Sequence, residues 1–291
     1  MIKKKILIAV TIYSLLAMAG CGQSSTGSTE PTTLPQETEA PAPTNAAVAE
    51  NTPVPTDTPI SESTPVPTET SAPVATPIPG EEWKSNLGTI NLSTLQVSGT
   101  GVAVDGNIIR ITAGGDFTVT GTLENGKIIV STTERVKLRL SDASITCEND
   151  SAIFVEQSDK TFITMEKGTT NTITSKGTEE GAIYSKDDLE IKGNGTLNIG
   201  SQLGHGIKAS DDLNIENGTL SIIAARDGIH TNETCDISGG TITIIAVKDG
   251  IESEENLIIR GGNITITASG QEYTAAGEVT VDESQATIVF R

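Results

Sequence analysis

The sequence predicts an all-β fold, a right-handed parallel β-helix (β-solenoid), in residues 82–291. Three observations predict this fold. A unit of 22 to 24 residues recurs with apolar residues at the same positions, apolar and polar residues alternate within each unit, and all twelve prolines lie between Pro31 and Pro79, before the repeats begin. Units this short cannot bury an apolar face alone, so we expect them to stack as coils around a shared core.

Residues 1–20 have the form of an export signal. Lysines at residues 3–5 precede an apolar stretch, residues 6–17, that is too short to span a bilayer. Residues 18–20 (Met-Ala-Gly) stand before Cys21, and this arrangement resembles a bacterial lipobox. The resemblance implies cleavage after residue 20 and a lipidated Cys21 as the chain's only attachment to a membrane. A plain secretory signal with an unrelated cysteine is the alternative.

Residues 21–81 form a linker rich in Pro, Thr, Ser, Ala and Glu, without an aromatic residue. Such a segment cannot bury enough apolar surface to offset its ordering entropy, so we expect it to be disordered. Its prolines favour extended conformations that reach on the order of 100–180 Å. We therefore expect the domain to be anchored on the extracellular face of a bacterial cell membrane and extended into or beyond the cell wall.

The repeat is clearest from residue 182 to residue 266. Its copies begin at Ala182-Ile183, Gly206-Ile207, Gly228-Ile229 and Gly250-Ile251. A second strand in each copy carries a pair of apolar residues: Leu189 and Ile191, Leu213 and Ile215, Cys235 and Ile237, Leu257 and Ile259. A glycine-containing turn follows, and then a third strand: Leu197 to Ile199, Leu220 to Ile222, Ile242 to Ile244, Ile264 to Ile266. Alternation places these apolar side chains on the inner side of each coil.

The pattern continues upstream with less regular turns, and at about 22 residues per unit the domain holds roughly nine coils. Cys235 takes an inward leucine position, and Cys147 takes an inward position three to four coils away. At about 4.8 Å per coil, this separation exceeds the roughly 7 Å that a disulfide allows between Cα atoms. The spacing predicts two free, buried thiols.

Acidic residues in two turns of the repeat are the candidate metal ligands. The first turn carries Asp187, Asp188, Asp211, Asp212 and Glu233, and the second carries Asp227 and Asp249, each before a glycine. Carboxylates stacked one per coil repel one another unless cations lie between them. Ca²⁺ accepts six to eight oxygen ligands, so the pattern predicts calcium as a cofactor. Neutralisation by nearby lysine and arginine, or simple solvation of turn residues, is the alternative.

An outward position of the first strand forms the second candidate site. It carries Phe154, Tyr184, Lys208, His230 and Glu252, one residue per coil. Aromatic residues make up only 3% of the chain, so two of them on one exposed ladder carry weight. Aromatic rings stack on sugars, and the charged neighbours can hydrogen-bond hydroxyls or pair with uronates. The ladder predicts a strip that binds an extended polysaccharide; ordinary packing between coils is the alternative.

The junctions between units read RDGIH at residues 226–230 and KDGIE at residues 248–252, followed by a Leu-x-Ile strand and a glycine turn. Over residues 150–270 this unit resembles a family of bacterial β-helix carbohydrate-binding proteins. The resemblance implies an architecture similar to that of polysaccharide lyases, binding of cell-wall polysaccharide, and bound calcium. Family copies often have Asp-Asp-Gly at the junction, where this chain has Arg226 and Lys248 in the first position.

We therefore expect non-catalytic binding of cell-wall polysaccharide, either cellulose-like or acidic and pectin-like, with calcium assisting. The enzymatic alternative is a calcium-dependent lyase acting by β-elimination, for which Asp211, Asp212, Lys208 and Arg226 would supply a metal site and a base. A structural adhesin or spacer is the third hypothesis. Cleavage after residue 20 leaves 16 basic and 38 acidic residues, a net charge of −22, so nucleic acid is excluded as a partner. We expect a monomer.

Overall fold

A computed structural model describes residues 80–291. The predicted signal peptide, the lipidation site Cys21 and nearly all of the predicted linker fall outside the described residues. Within them, no helix has the length and apolar character needed to cross a membrane. Strands account for most of this part of the chain, as the alternation predicts.

The N-terminal end of the β-helix is closed by a short cap. The cap contains a 3-10 helix (Glu82–Ser85) and strands β1 (Leu87–Asn91), β2 (Gln96–Ser98) and β3 (Val102–Asp105). β1 pairs antiparallel with β2, and β3 pairs antiparallel with the first strand of the solenoid. Trp83 of the 3-10 helix is buried. Because residues 80–107 form this cap, the solenoid has eight coils, one fewer than the sequence spacing predicts.

The eight coils contain 22 strands. In chain order they are β4 (Ile108–Ile111) and β5 (Gly115–Leu123); β6 (Lys127–Ser131) and β7 (Val136–Cys147); β8 (Ile153–Gln157), β9 (Thr161–Met165) and β10 (Thr170–Ser175); β11 (Gly181–Ser185), β12 (Leu189–Gly193) and β13 (Thr196–Ser201); β14 (His205–Ala209), β15 (Leu213–Ile215) and β16 (Thr219–Ala224); β17 (Ile229–Thr231), β18 (Cys235–Ile237) and β19 (Thr241–Ala246); β20 (Ile251–Ser253), β21 (Leu257–Ile259) and β22 (Gly262–Ala268); β23 (Tyr273–Ala275), β24 (Val279–Val281) and β25 (Ala286–Phe290).

Parallel pairing between successive coils produces three faces. Face 1 is the nine-stranded sheet that contains β4, β6, β8, β11, β14, β17, β20 and β23. Faces 2 and 3 share the long strands β5 and β7 and then separate. The first half of β7 pairs with β9, which begins face 2, and the second half pairs with β10, which begins face 3. The chain thus passes through face 1, face 2 and face 3 in every coil from the third onward.

The core is a set of apolar columns that run along the solenoid, as the repeat predicts. Leu189, Leu213, Cys235 and Leu257 pair in register, and all four are fully buried. Each isoleucine or leucine buried in this way contributes about 1.5–3 kcal/mol relative to an exposed position. Proline is absent from these strands because each inner strand donates its N–H groups to a neighbouring coil.

The glycine of the Asp-Gly-Ile junction is required by close packing. A Cβ atom on Gly228 would lie 2.2 Å from Cγ2 of Ile244 and 2.7 Å from the carbonyl oxygen of Gly250. Gly206 and Gly250 occupy equivalent positions and meet equivalent obstacles. The close packing of face 3 against face 1 therefore accounts for the glycine of the junction motif, and the motif does not by itself indicate a ligand.

The two thiols within the described residues are free and buried, as predicted. Cys235 lies on β18, and Cys147 lies on β7, four coils earlier. Burial raises the pKa of the Cys235 thiol to about 12. A thiol held neutral at physiological pH acts as a small apolar core residue.

Two neighbouring isoleucines of β19 provide a test of the inward columns. Ile244 is fully buried, whereas Ile245 is 49% exposed. Ile244→Ala should lower the free energy of unfolding by about 2–4 kcal/mol, because it leaves a cavity in the core. Ile245→Ala should change it by about 0.5 kcal/mol or less. Chemical denaturation of the two variants checks this, and equal losses would contradict the assigned register.

Candidate functional site

The predicted ladder lies on face 1, where parallel pairing brings its five residues together. Phe154 pairs with Tyr184, Tyr184 with Lys208, Lys208 with His230, and His230 with Glu252. All five side chains are half-buried. Successive members are one coil apart, about 4.8 Å. The ladder is therefore a continuous strip across five coils.

The aromatic end of the ladder is a stack of two rings with two ammonium groups. The ring centroids of Phe154 and Tyr184 are 5.3 Å apart, with 25° between the ring planes. Nζ of Lys186 lies 5.4 Å from the Phe154 centroid, and Nζ of Lys208 lies 5.3 Å from the Tyr184 centroid. Ring faces attract cations at these distances. Lys208 also forms an ion pair with Glu180, so aromatic surface, ammonium groups and one carboxylate lie together at this end of the ladder.

The first set of predicted metal ligands lies on the turns between face 1 and face 2. Inward hydroxyls shape these turns: Ser185 donates to the carbonyl oxygen of Asp187 at 2.6 Å, and Thr231 donates to that of Glu233 at 3.1 Å. Some turn carboxylates also bond to a neighbouring coil. Asp187 accepts from the backbone N–H of Ser158 at 2.7 Å. These contacts direct part of the acidic column toward backbone groups and leave the rest facing solvent.

Negative charge is in excess on these turns. Burial raises the pKa of Asp188. Lys160 lowers this pKa, whereas the charge of Asp212 raises it further. Burial, together with Asp187, Asp188 and Asp212, raises the pKa of Asp211. The charge of Asp211 in turn raises the pKa of Glu233. A nearby cation would relieve this repulsion.

The carboxylates of the first turn do not gather into a compact group. Among residues 80–291, three or more ligand atoms approach within 4.8 Å of one another at two places only, and both involve the second turn. One group is Asp227, Asp249 and Glu252, and the other is His205, Asp227 and His230. Asp227 and Asp249 were predicted as metal ligands, and His230 and Glu252 as ladder residues; the structure places all four in one cluster.

Asp227 is the centre of this cluster and is fully buried. Its Oδ1 accepts a hydrogen bond from the backbone N–H of Asp249 at 2.9 Å. Its Oδ2 lies 3.0 Å from Nδ1 of His205 and 3.3 Å from Nζ of Lys248. The backbone contact fixes the orientation of the carboxylate, so Oδ2 faces the histidines and the lysine.

The outer part of the cluster connects to the ladder. Oε2 of Glu252 lies 2.9 Å from Nζ of Lys248 and 3.2 Å from Nδ1 of His230. The rings of His205 and His230 are 4.7 Å apart, centroid to centroid. The acidic end of the ladder is therefore joined through side-chain contacts to the buried Asp227.

The ionisation of the cluster follows from burial and these contacts. Burial raises the pKa of Asp227, but His205 and the backbone N–H of Asp249 outweigh it and hold that pKa well below its usual range. Burial lowers the pKa of His205, and the nearby His230 adds to the decrease. The contact with Glu252 raises the pKa of Lys248. At neutral pH the cluster therefore contains ionised Asp227 and neutral His205.

Sequence reasoning missed a basic, aromatic patch on face 2, beside the cap. The rings of Trp83 and Phe162 stack with centroids 5.6 Å apart and 10° between their planes. Ammonium groups lie 5.1 to 6.0 Å from the centroid of one or the other ring; they belong to Lys84, Lys137, Lys160 and Lys192. The detectable signal was the outward position of the second strand, where Lys137 and Phe162 pair directly. His205, outside every predicted site, was also missed.

Comparisons with known proteins identify the family to which the coils belong. The family model described as "Carbohydrate-binding domain-containing protein" matches residues 105–291, which are the eight coils and the three residues before them, the last residue of β3 and the turn that follows it. A curated protein of the same description from Acetivibrio thermocellus is 30% identical over 136 residues, covering 43% of this chain and 48% of the relative. The chain thus matches about half the length of that relative.

A solved structure is similar over a larger part of the chain. It is described as a polysaccharide lyase-like protein from C. thermocellum, in a gadolinium derivative. It is 26% identical, covers 70% of this chain and 96% of its own, and superposes with a TM-score of 0.59. The family match extends over more than half of the chain and coincides with the coils. The chain belongs to the family of carbohydrate-binding domain-containing proteins.

Proposed function

We propose that this protein binds an extended cell-wall polysaccharide without cleaving it, from the outer face of a bacterial cell membrane. Membership of the family and the lyase-like neighbour support a carbohydrate-binding role. The lipobox-like segment before Cys21 and the proline-rich linker support the location. The ligand is a cellulose-like or an acidic, pectin-like chain, and one protein molecule acts alone.

The observation that carries the proposal is the ladder from Phe154 to Glu252. Its members repeat once per coil, about 4.8 Å, and an extended hexose chain advances by a similar length per sugar. Each sugar can therefore meet an equivalent position on the next coil. Stacked aromatic rings provide apolar contact, and Lys208, His230 and Glu252 provide hydrogen-bonding groups.

The distribution of basic groups supports the acidic type of ligand. The mature chain has a net charge of −22, and a polyuronate would be repelled by most of its surface. Lys186 and Lys208 nevertheless lie over the aromatic rings of the ladder. The patch around Trp83 and Phe162 adds further ammonium groups. Lys208 also pairs with Glu180, and Lys160 and Lys192 pair with Glu190, so a uronate group would compete with these carboxylates for the ammonium groups.

Calcium would act at the acidic turns. Carboxylates are the ligands that Ca²⁺ prefers. The pKa values of Asp188 and Asp211 are raised by burial and then by neighbouring carboxylates, and the pKa of Glu233 is raised first by Asp211. These carboxylates do not close into a three-ligand group by themselves. Uronate groups of a bound chain would supply the remaining oxygens, so calcium and an acidic polysaccharide should bind cooperatively.

A lyase is the second candidate, and Lys137 is the observation that favours it. Burial lowers the pKa of Lys137, and so do the nearby charges of Arg139, Lys192 and Lys84, whereas Asp116 raises it. A base in β-elimination requires a lowered lysine pKa. However, Asp116, the carboxylate that faces Lys137, is already paired. Asp116 receives two hydrogen bonds from Arg139, both 2.6 Å. A carboxylate that is paired in this way would hold a calcium ion poorly beside Lys137. We therefore favour polysaccharide binding over cleavage.

Retention on polysaccharides tests the ladder. The full chain should be retained on insoluble cellulose or on immobilised polygalacturonate, and Tyr184→Ala or Phe154→Ala should weaken retention about three- to tenfold, through loss of the aromatic stack. Phe290→Ala is a matched control, since Phe290 is 48% exposed and lies on the last strand, outside the ladder. Unchanged retention of both ladder variants would reject the ladder. Retention on neither material would favour the adhesin or spacer.

Product formation separates binding from cleavage. With polygalacturonate and calcium, we expect no unsaturated products, which are detected by their ultraviolet absorbance. If such products form and Lys137→Met abolishes them, the protein is a lyase with Lys137 as its base. Products that persist in this variant would also overturn non-catalytic binding, and would place the base elsewhere.

Asp211→Asn tests the acidic turns. The raised pKa means that ionised Asp211 costs folding free energy above that pKa, and the cost disappears as the pH falls below the unfolded value of about 3.9. In EDTA, at pH 7 and low salt, the variant should melt about 1–3 °C higher than the wild type. Its advantage should shrink on acidification.

Added calcium should reverse that order, because only the wild type keeps the full set of carboxylates. Glu156→Gln is the control: Glu156 is exposed and outside both turns, so its melting temperature should follow the wild type throughout. Identical responses of wild type and Asp211→Asn to calcium would remove calcium from this turn.

A further inference from the structure

We propose that His205, Asp227 and His230 bind a divalent transition-metal ion, with zinc as the preferred ion. This site includes Asp227 of the second turn. It differs in chemistry from the turns between face 1 and face 2, where we place calcium, and it does not depend on polysaccharide binding. It lies on face 1, where the fifth and sixth coils meet.

The fold brings the chain's two histidines together. His205 and His230 are the only histidines among 291 residues. They are 25 positions apart in the sequence, three more than the 22-residue interval between these coils. The pairing of Ile207 with Ile229 places His205 beside Asp227 and one coil from His230. The ligand atoms of His205, Asp227 and His230 all lie within 4.8 Å of one another. Small rotations of the side chains would direct these atoms at one ion.

His205 is the observation that points to a ligand. Its side chain is 4% exposed, and its Nδ1 atom has no hydrogen-bond partner among residues 80–291. The neighbouring Oδ2 of Asp227 is 3.0 Å away but does not form a hydrogen bond with it. Leaving a buried nitrogen unsatisfied destabilises the fold, because the atom loses its hydrogen bond to water without gaining another. A metal ion between His205 and Asp227 would satisfy both atoms.

The donor set selects the type of metal. Two imidazole nitrogens and one carboxylate oxygen suit zinc, which is commonly held by three protein ligands and a fourth group. Calcium prefers a larger set of oxygens. Oε2 of Glu252, which lies 3.2 Å from Nδ1 of His230, or a water molecule would complete the coordination.

Lys248 competes with the metal for the same oxygens. Its Nζ atom lies 3.3 Å from Oδ2 of Asp227 and 2.9 Å from Oε2 of Glu252. The side chain is 48% exposed, so it can move into solvent when an ion binds. Removing this ammonium group should therefore strengthen zinc binding, an effect that damage to the fold cannot produce.

Zinc binding to the full chain tests the proposal. Isothermal titration at pH 7.5 should show one zinc per chain, and calcium should not displace it. His205→Gln and His230→Gln should abolish this binding, whereas Lys248→Met should tighten it several-fold. All proteins carry Cys21→Ser, so that no accessible thiolate binds zinc; Cys147 and Cys235 are buried.

Cobalt replaces zinc in a second measurement. Bound cobalt should give the absorption of a four-coordinate nitrogen and oxygen site, without a thiolate charge-transfer band. Circular dichroism confirms that each variant is folded. The proposal is overturned if zinc does not saturate a single site, if folded histidine variants bind it as well as the parent does, or if Lys248→Met weakens binding.

Discussion

Parallel hydrogen bonding between successive coils is the interaction on which the rest of this structure depends. Each strand donates and accepts along its whole length to the coils before and after it, so residues at equivalent positions must lie directly above one another. Inside, this arrangement turns a repeated leucine or isoleucine into a continuous apolar column. Outside, it turns residues about 22 positions apart into neighbours. The same constraint that builds the core also builds every surface ladder.

Stacking brings the charged side chains of each outward column close together, and the groups around these charges differ from one column to another. At the turns between faces 1 and 2, carboxylates follow one another and raise each other's pKa. At the second turn, Lys248 and two imidazoles surround a buried Asp227. Beside the cap, ammonium groups gather around the Trp83 and Phe162 rings. We propose that these three arrangements bind, respectively, a hard cation, a transition metal and an anionic ligand.

Much of the arrangement could be predicted because the repeat is regular where the predictions were made. The ladder from Phe154 to Glu252 and the inward column that contains Cys235 were both correctly registered, since one interval in sequence equals one coil in space. The coil number was overestimated by one because the first residues form antiparallel pairs, which the repeat spacing does not encode. The Trp83 patch was missed because Trp83 lies outside the repeat and reaches Phe162 only through the cap.

The sequence by itself determined the fold class, the inward columns, the order of residues on the outward ladder and the isolation of the two thiols. All of these features follow from the periodicity of the sequence, because a strictly repeated pattern buries its apolar face when its units stack as coils. The tertiary structure decided which outward groups meet. His205 lies one 22-residue interval before Asp227, so the repeat brings these two positions together, but only the tertiary structure shows that the side chains of His205 and His230 both reach the Asp227 carboxylate. Contacts of this kind depend on the lengths of individual turns and on side-chain orientation, and neither is periodic.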